Sequence, residues 1–405
     1  MALIGAGGFG AYHVRALELL ARENIAALAA VADPALDTSS ALHARLAGAG
    51  VRVYPDYREM LAREPQLEAV TIAAPVPFHF EMVEACARRG LPVYLEKPPV
   101  PLLAELEGLI KLDPAQRVHV GFQLIHSAWA QQIKGWIAGG KLGDIRHIRA
   151  CACWPRTDAY YNRAAWAGKL ALDGRAVLDG PATNALSHLI HTLLFLASPV
   201  PGGYDEPVEL RGELYRVRPI ESYDTAALRG TLKSRSRAEF SVAVTHATRK
   251  ECRYHLRITG TKGWAHVSDD GRRLESSLGD FSHAGARPFR SSSTRTGSSP
   301  ASCGAGETRP PISLADTRSY LRVTNALFGS ARAIHTIDSR WVRTYRDKAD
   351  IGFDVPGLHD ATLACFETGK VYSELGTCPW ARASEPVDAD EARAFDWTRL
   401  LRPAA

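Results

Sequence analysis

The sequence predicts an α/β protein: a doubly wound parallel sheet at the N-terminus, then an α+β domain with an open, mostly antiparallel sheet. Three observations predict it. Short apolar runs alternate with amphipathic helical stretches over residues 1–122. A glycine-rich turn, Gly5-Ala6-Gly7-Gly8-Phe9-Gly10, separates the first run from the first helical stretch. Beyond residue 208, strand-like segments follow one another with no helix between them. Strands buried on both faces read as continuous apolar runs, and β-α alternation implies right-handed crossovers in a parallel sheet. Strands in succession imply antiparallel neighbours.

The elements follow in order. Strands are expected at 2–4, 27–32, 51–54, 69–73, 92–95 and 118–122, with helices near 10–22, 38–48, 56–63, 78–89 and 101–111. Met1-Ala2-Leu3-Ile4 is short for a first strand, which raises the expectation of a natural start upstream. A helix and a strand, 145–153, come next. A loop rich in aromatic and charged residues then runs to Gly180, followed by an apolar helix at 182–197. Strands are expected at 208–217, 222–232, 237–245, 254–259 and 263–267, and helices at 314–330 and 355–376. Residues 268–312 are rich in Ser, Gly and Arg, too poor in apolar residues to offset their ordering entropy, and are expected to form a mobile loop. The expected domains are therefore 1–122 and 123–380, the second interrupted by the 268–312 loop, with a tail at 381–405.

A chain of 405 residues is too long for one small core. Its hydrophobic fraction of 46% and net charge of +5 describe an ordinary globular protein, and the charge is too mild to argue for nucleic acid. The apolar runs are too short to cross a bilayer, and the N-terminus lacks the pattern of a signal peptide, so no membrane partner is expected and the expected location is cytoplasmic. The seven cysteines show no C-x-x-C spacing. Free thiols are expected, with Cys151 and Cys153 as buried small hydrophobes on one strand face and no metal.

The glycine turn fits G-x-G-x-x-G. Gly5 permits the tight turn, Gly7 lets the backbone approach a pyrophosphate, and Gly10 lets helix and strand pack closely. Gly8 and Phe9 complete the loop, and the phosphates sit at the helix N-terminus, where N–H groups and the dipole favour negative charge. The second strand ends in Asp33, 23 residues after Gly10. A carboxylate there accepts from ribose hydroxyls and repels a 2′-phosphate, so NAD is the expected cofactor, with NADP the alternative.

Glu96-Lys97-Pro98 ends the fifth strand. In an open parallel sheet, ligands bind beyond the strands' carboxyl ends. A lysine there can donate to a substrate oxygen and to the nicotinamide ribose, and can shuttle a proton. On the 182–197 helix, Asn184, His188 and His191 fall at i, i+4 and i+7, a polar stripe on an otherwise apolar element. Pro181 suits its first position, with Asp179 or Gly180 as cap. A metal is a rival reading of the two histidines, but no Cys or Glu nearby completes a ligand set.

The glycine turn, then Asp33, then Ala74-Pro75 with His79, then Glu96-Lys97-Pro98, resemble in order and spacing the Gfo/Idh/MocA family, that of glucose–fructose oxidoreductase and inositol dehydrogenase. Gly139 to Ile145 and Tyr160-Tyr161-Asn162-Arg163 with Trp166 and Gly168 extend the resemblance over about residues 1–270. It implies a Rossmann domain that binds NAD(P) and a C-terminal domain whose sheet mediates homodimers or homotetramers. It also implies a sugar, polyol or cyclitol substrate that exchanges hydride with the nicotinamide, where the two domains meet. Ala74, Pro75, His79, Glu96, Lys97 and Gln123 would then contact or shape the cofactor site, and Lys97 is the family's functional lysine. The family usually carries an aspartate and, four residues later, a histidine that takes the substrate hydroxyl proton. By that pattern His188 is the base and Asn184 stands in the aspartate's place. An amide can fix the imidazole tautomer but carries no charge to stabilise imidazolium, so the burden passes to Lys97, or Asp179 supplies the missing carboxylate. Tyr161, Asn162, Arg163 and Trp166 form a loop suited to closing over a polyol, with Asp179 and His191 as further substrate candidates. Two other outcomes stay open: an NAD-using lyase or glycosidase with transient oxidation, and a non-catalytic NAD-binding regulator.

Overall fold

The computed structural model describes residues 1–279 and 312–401, and the chain divides into two compact units. The first comprises Met1–Phe122 with the described residues 312–317 of a second segment. Six short strands form a parallel sheet: β1 (Ala2–Ile4), β2 (Ala30–Ala32), β3 (Arg52–Tyr54), β4 (Val70–Ile72), β5 (Val93–Leu95) and β6 (Val118–Val120). Their order is β3-β2-β1-β4-β5-β6, a doubly wound sheet whose order reverses beside β1. Between them run α1 (Gly10–Arg22), α2 (Ala41–Gly48), α3 (Tyr57–Arg63), α4 (His79–Arg88) and α5 (Leu103–Leu112). The central strands β1 and β4 are buried throughout, with Ala2, Leu3 and Val70 wholly so and Thr71 the polar residue among them. The Ser40 hydroxyl caps α2, and the Asp56 carboxylate caps α3, each accepting from free amides of the first turn.

Two glycines in this unit are irreplaceable for different reasons. Gly5 has φ +85°, and a side chain there would press within 2.8 Å of the Ala74 amide. Gly10 opens α1 against the preceding turn so closely that a Cβ would lie 2.1 Å from the Gly5 carbonyl oxygen.

The second unit, Gln123–Pro288 with Arg318–Ala405, contains α6 (Ala128–Ala138), β7 (Ile145–Cys153), α7 (Asp158–Tyr161), the small hairpin β8 (Ala171–Leu172) and β9 (Arg175–Ala176), and α8 (Ser187–Ala197). Then follow β10 (Pro207–Arg216), β11 (Thr225–Leu232), β12 (Glu239–Thr245), β13 (Cys252–Gly260), β14 (Trp264–Ser268), β15 (Arg273–Ser276) and α9 (Arg318–Ala331). Last come β16 (His335–Thr336), β17 (Arg343–Asp347), β18 (Asp350–Asp354), α10 (Leu358–Thr368) and β19 (Val387–Asp388). The large sheet runs β15-β14-β13-β7-β12-β11-β10-β16, with β19 also on β10. It is antiparallel except at β7–β12 and β10–β16. One buried cation fixes the end of α8: Lys134 on α6 donates to the carbonyls of Phe195, Ser198 and Gly203, at 2.5, 2.7 and 3.0 Å.

Several expectations change. The 182–197 helix is two pieces: a π turn, Pro181–Ala185, then α8, with Leu186 at φ −112° between them. Residues 268–279 are ordered into the sheet edge β14–β15, whereas 280–311, the rest of the expected mobile loop, lie outside the described residues. Residues 381–401 are no separate tail: β19 pairs with β10, Arg322 on α9 grips Asp390, and Phe395 stacks on Phe328 at 5.9 Å. The sheet face left open for a partner subunit is instead covered in part by the chain itself. Cys151, Tyr215, Ala227 and Ala243 on four strands pack under Leu358, Cys365, Phe366, Tyr372 and Trp380. Cys151 and Cys153 are buried free thiols, as are Cys86, Cys252 and Cys365.

In the first unit, Glu64 is 1% exposed and accepts from Arg52, Tyr54 (2.5 Å) and Gln66 (2.6 Å). The Arg52 guanidinium holds its carboxyl down at about 2, below the usual 4.5. Its contribution is therefore complete above pH 4.5 and lost as pH falls towards 2. Because Arg52 is half exposed, the contribution is about 1 kcal/mol. Glu64→Gln should flatten the acid limb of stability between pH 4.5 and 2, measured by denaturant unfolding; an unchanged limb would show that Glu64 contributes nothing there.

Candidate functional site

At the carboxyl ends of β1, β2, β4 and β5, four loops of the first unit converge. Asp33 ties two of them. Its Oδ2 accepts from the amides of Ala6 (2.8 Å) and Gly7 (3.1 Å), and its Oδ1 from Ala35 (2.9 Å). The carboxylate thus shapes the glycine turn from beneath. Gly10 and Ala11 amides close onto Gly7 and Gly8 carbonyls, while among the described residues no acceptor bonds the amides of Gly8 and Phe9. Nothing stands within 4 Å of a Cβ at Gly8, and Phe9 is 46% exposed. Two amides without a chain acceptor at the head of a 13-residue helix, beside the open space at Gly8, fit a diphosphate.

The loop after β5 is held from two sides. Glu96, buried, accepts from His13 on α1 at 2.8 Å, and its Oε2 accepts from the Lys97 amide at 3.3 Å. Lys97 is half-buried and precedes Pro98 through a cis peptide bond. His79, expected at the cofactor, is fully buried instead. Its Nε2 lies 2.8 Å from the Ala74 carbonyl, and its Nδ1 lies 3.2 and 3.1 Å from those of Pro98 and Pro99. Burial pushes its pKa down against the opposing pull of these carbonyls, and the ring lies between the Ala74-Pro75 turn and the lysine loop. Sequence reasoning did not find His13; a histidine on a helix face carries no signal until Glu96 is seen against it.

In the second unit, the Asn184 amide donates to Asp179 Oδ1 at 2.8 Å, and the Gly168 amide to Oδ2 at 2.7 Å. Asp179, 4% exposed, is thus the carboxylate brought to Asn184. It does not cap the helix, whose entry at Gly180 has no side-chain cap. A carboxylate only accepts, so the amide nitrogen faces Asp179 and the amide oxygen is left as the acceptor end. Of the π turn, only Asn184 and Ala185 escape full burial, and of α8 only His188. Asn184 and His188 are therefore the polar side chains that this element leaves accessible. The stripe does not extend to His191, which is wholly buried, 4.8 Å from the Tyr204 ring, and kept neutral by burial. Gly180 has no room for a side chain because the Tyr223 ring would lie 2.3 Å from its Cβ. Tyr223 in turn bonds the Thr183 amide at 3.1 Å and fixes the turn.

Tyr161, expected over the substrate, is buried and bonded to His246 Nδ1 at 2.9 Å; Asn162 and Arg163 are exposed, and Trp166 is half-buried. Gln123 opens a short turn, Gln123–His126, with its Oε1 buried. Among the described residues no three His, Cys, Asp or Glu side chains gather as a metal site, and no helix is long and apolar enough to cross a membrane.

Residues 1–123 match the model of an oxidoreductase family with an NAD-binding Rossmann fold, and residues 130–266 that of the Gfo/Idh/MocA C-terminal domain. Inositol 2-dehydrogenase from Streptomyces avermitilis is 36% identical over 149 residues, 35% of this chain and 41% of that protein. The rhizopine catabolism protein MocA from Rhizobium meliloti is 31% identical over 156 residues, 38% of this chain and 46% of that protein. The matched stretch thus spans less than half of either relative. Among solved structures, the WlbA dehydrogenase from Chromobacterium violaceum, in complex with NADH and UDP-GlcNAcA, is 24% identical with a TM-score of 0.67, over 82% of this chain and 93% of that one. Myo-inositol 2-dehydrogenase from Lactobacillus plantarum is 19% identical with a TM-score of 0.63, over 82% and 96%. With both of its parts matched in order by the family's models, the chain belongs to the Gfo/Idh/MocA oxidoreductase family.

Proposed function

We propose that the chain is an NAD-dependent dehydrogenase acting on a CH–OH group of a sugar, polyol or cyclitol. The observation that carries this reading is the buried Asp179 carboxylate bonded to Asn184, one turn before the accessible His188. Such an arrangement suits proton transfer from a hydroxyl. His188 takes the proton, and Asn184, oriented by Asp179, relays negative charge towards it without carrying charge itself. Lys97, fixed by Glu96 and the Pro98 junction, is the proposed donor to the reacting oxygen and the alternative acceptor of its proton. The nicotinamide, when bound, supplies the hydride acceptor. The glycine turn from Gly5 to Gly10 is its proposed phosphate cradle. Ala74, Pro75 and Gln123 are proposed to line its path, with Asp33 and His79 shaping that path from below. Inositol 2-dehydrogenases and NAD-bearing structures among the relatives support the cofactor and the polyol class. Six described free thiols support a reducing, cytoplasmic setting. Trp264, Trp341 and Ile351, about two-fifths exposed, support a homodimer or homotetramer.

The test is a screen of NAD+ and NADP+ with sugars, inositols and sugar acids, following reduced nucleotide. NADH should accumulate; turnover without accumulation would replace net oxidation with transient oxidation. Lys97→Ala should lower kcat by about 100-fold or more with dinucleotide affinity retained. Full turnover in that variant would remove Lys97 from the chemistry. Asp179→Asn removes the charge and one of the two acceptor oxygens that serve Gly168 and Asn184. It should lower kcat by about 10-fold or more and shift the pH–rate profile. Gly10→Ala should abolish dinucleotide binding in a calorimetric titration or prevent folding, because its methyl overlaps the Gly5 carbonyl; normal binding would move the cradle elsewhere.

A further inference from the structure

The loop from the end of β7 to Gly168 is built as a stack of rings and cations. The Arg156 guanidinium carbon lies 5.4 Å from the Trp154 ring centre and 5.0 Å from that of Tyr160. The Arg163 guanidinium lies 3.7 Å from Tyr160 and 4.6 Å from Trp166. Two cations thus alternate with three rings over thirteen residues of chain. Stacking uses the guanidinium faces and leaves the in-plane N–H edges for acceptors.

Those edges are poorly served by the chain. Arg156 donates to the Pro155 carbonyl at 3.1 Å and Arg163 to the Tyr160 carbonyl. Among the described residues neither guanidinium has a carboxylate within ion-pair distance. The acidic groups nearby are engaged elsewhere: Asp158 and Asp224 lie 3.6 and 3.7 Å from Arg218, and Asp179 holds Gly168 and Asn184. Arg156 Nε is buried without a partner. So is Nε2 of His246, a residue 1% exposed whose ring stands edge-on to Tyr160 at 5.4 Å. The Tyr161 hydroxyl lies 2.9 Å from His246 Nδ1, on the other side of the ring. Two buried nitrogens, one of a cation, thus flank Tyr160 without a partner, a costly arrangement for a chain to leave uncompensated.

This loop joins the proposed catalytic element directly, because Gly168 at its end and Asn184 share the two oxygens of Asp179. We infer that the substrate carries an oxyanion, a carboxylate or a phosphate, which Arg156 and Arg163 bind while its reacting hydroxyl is presented to His188. The inference rests on the dehydrogenase reading and narrows its substrate class from polyols at large to acidic ones. A planar guanidinium fork matches either oxyanion, and the stacked rings fix its orientation.

The test separates binding from turnover. Glucose, glucuronate and glucose 6-phosphate are titrated calorimetrically into the whole protein with NADH present, in wild type, Arg156→Gln and Arg163→Gln. At least one acidic sugar should bind about 10- to 100-fold more tightly than glucose, and the difference should shrink to a few-fold in Arg156→Gln. Arg163→Gln, on an exposed side chain, should show the same loss without any change in melting temperature. Which of the two acids binds distinguishes carboxylate from phosphate. Equal binding of all three sugars by wild type, or an acid preference that survives both variants, overturns the inference. Acid-selective binding with no oxidation of any sugar would leave the oxyanion site standing and remove the dehydrogenase reading. Oxidation of neutral polyols with no preference for acids would do the reverse.

Discussion

The second unit is organised around one buried carboxylate. Asp179 is removed from water, and both of its oxygens are occupied by donors of the chain: a backbone amide from the loop that precedes it and a side-chain amide from the turn that follows. A carboxylate cannot be buried at tolerable cost without such donors. Neither donor is there by itself, since Gly168 and Asn184 belong to separate irregular segments. The three features therefore stabilise one another: loop 154–168, the extended entry at Gly180 and the π turn. Losing the carboxylate would loosen the loop and the turn that carries Asn184 together.

The same logic runs through the first unit in a different form. There the recurring device is a polar side chain used as a strap between loops. Asp33 bonds two amides of the glycine turn, Glu96 bonds His13, and His79 links the turn after β4 with the loop after β5. Each strap lies at the carboxyl edge of the sheet, where chain leaving the strands would otherwise be free. Holding these loops before any ligand arrives lowers the ordering cost of binding.

Much of this was legible in the sequence, and the reasons are local. The glycine turn was readable because φ > 0 and close packing admit few residues, so Gly5 and Gly10 mark themselves. The strand at 145–153 and the helix at 10–22 appear at those bounds because their periodicity is uninterrupted. The hairpin β17–β18 and the strand β19 were not readable. Strand β17 is rich in charge and mostly exposed, so it shows no apolar alternation, and β19 pairs with β10, distant in sequence. The covering of the sheet by Leu358, Phe366 and Trp380 is likewise a tertiary fact: apolar spacing says that a helix buries a face but not which sheet receives it. The dispersed site residues follow the same rule. Asp179 was a candidate carboxylate because it stood near Asn184 in sequence, whereas His246 lies 85 residues from Tyr161 and gave no sign of meeting it.

The π turn separates Asn184 from the regular helix that carries His188. From Pro181 to Ala185 the backbone closes wider loops, with the Leu186 amide bonded to the Pro181 carbonyl at 2.7 Å. Such turns carry an extra residue and re-aim the side chains before them relative to those after. Leu186 and Ser187 are buried between Asn184 and His188, yet both of the latter reach the accessible face. Asn184 precedes the junction and His188 follows it, so the π turn sets how these two are aimed relative to each other, whereas His188 and His191 share the regular helix α8. Here the stripe ends at His188, because the next turn of α8 is committed to the core against Tyr204. One imidazole, not two, is left at the surface of an otherwise buried helix. That selectivity is set by the packing of α8, which commits His191 to the Tyr204 side.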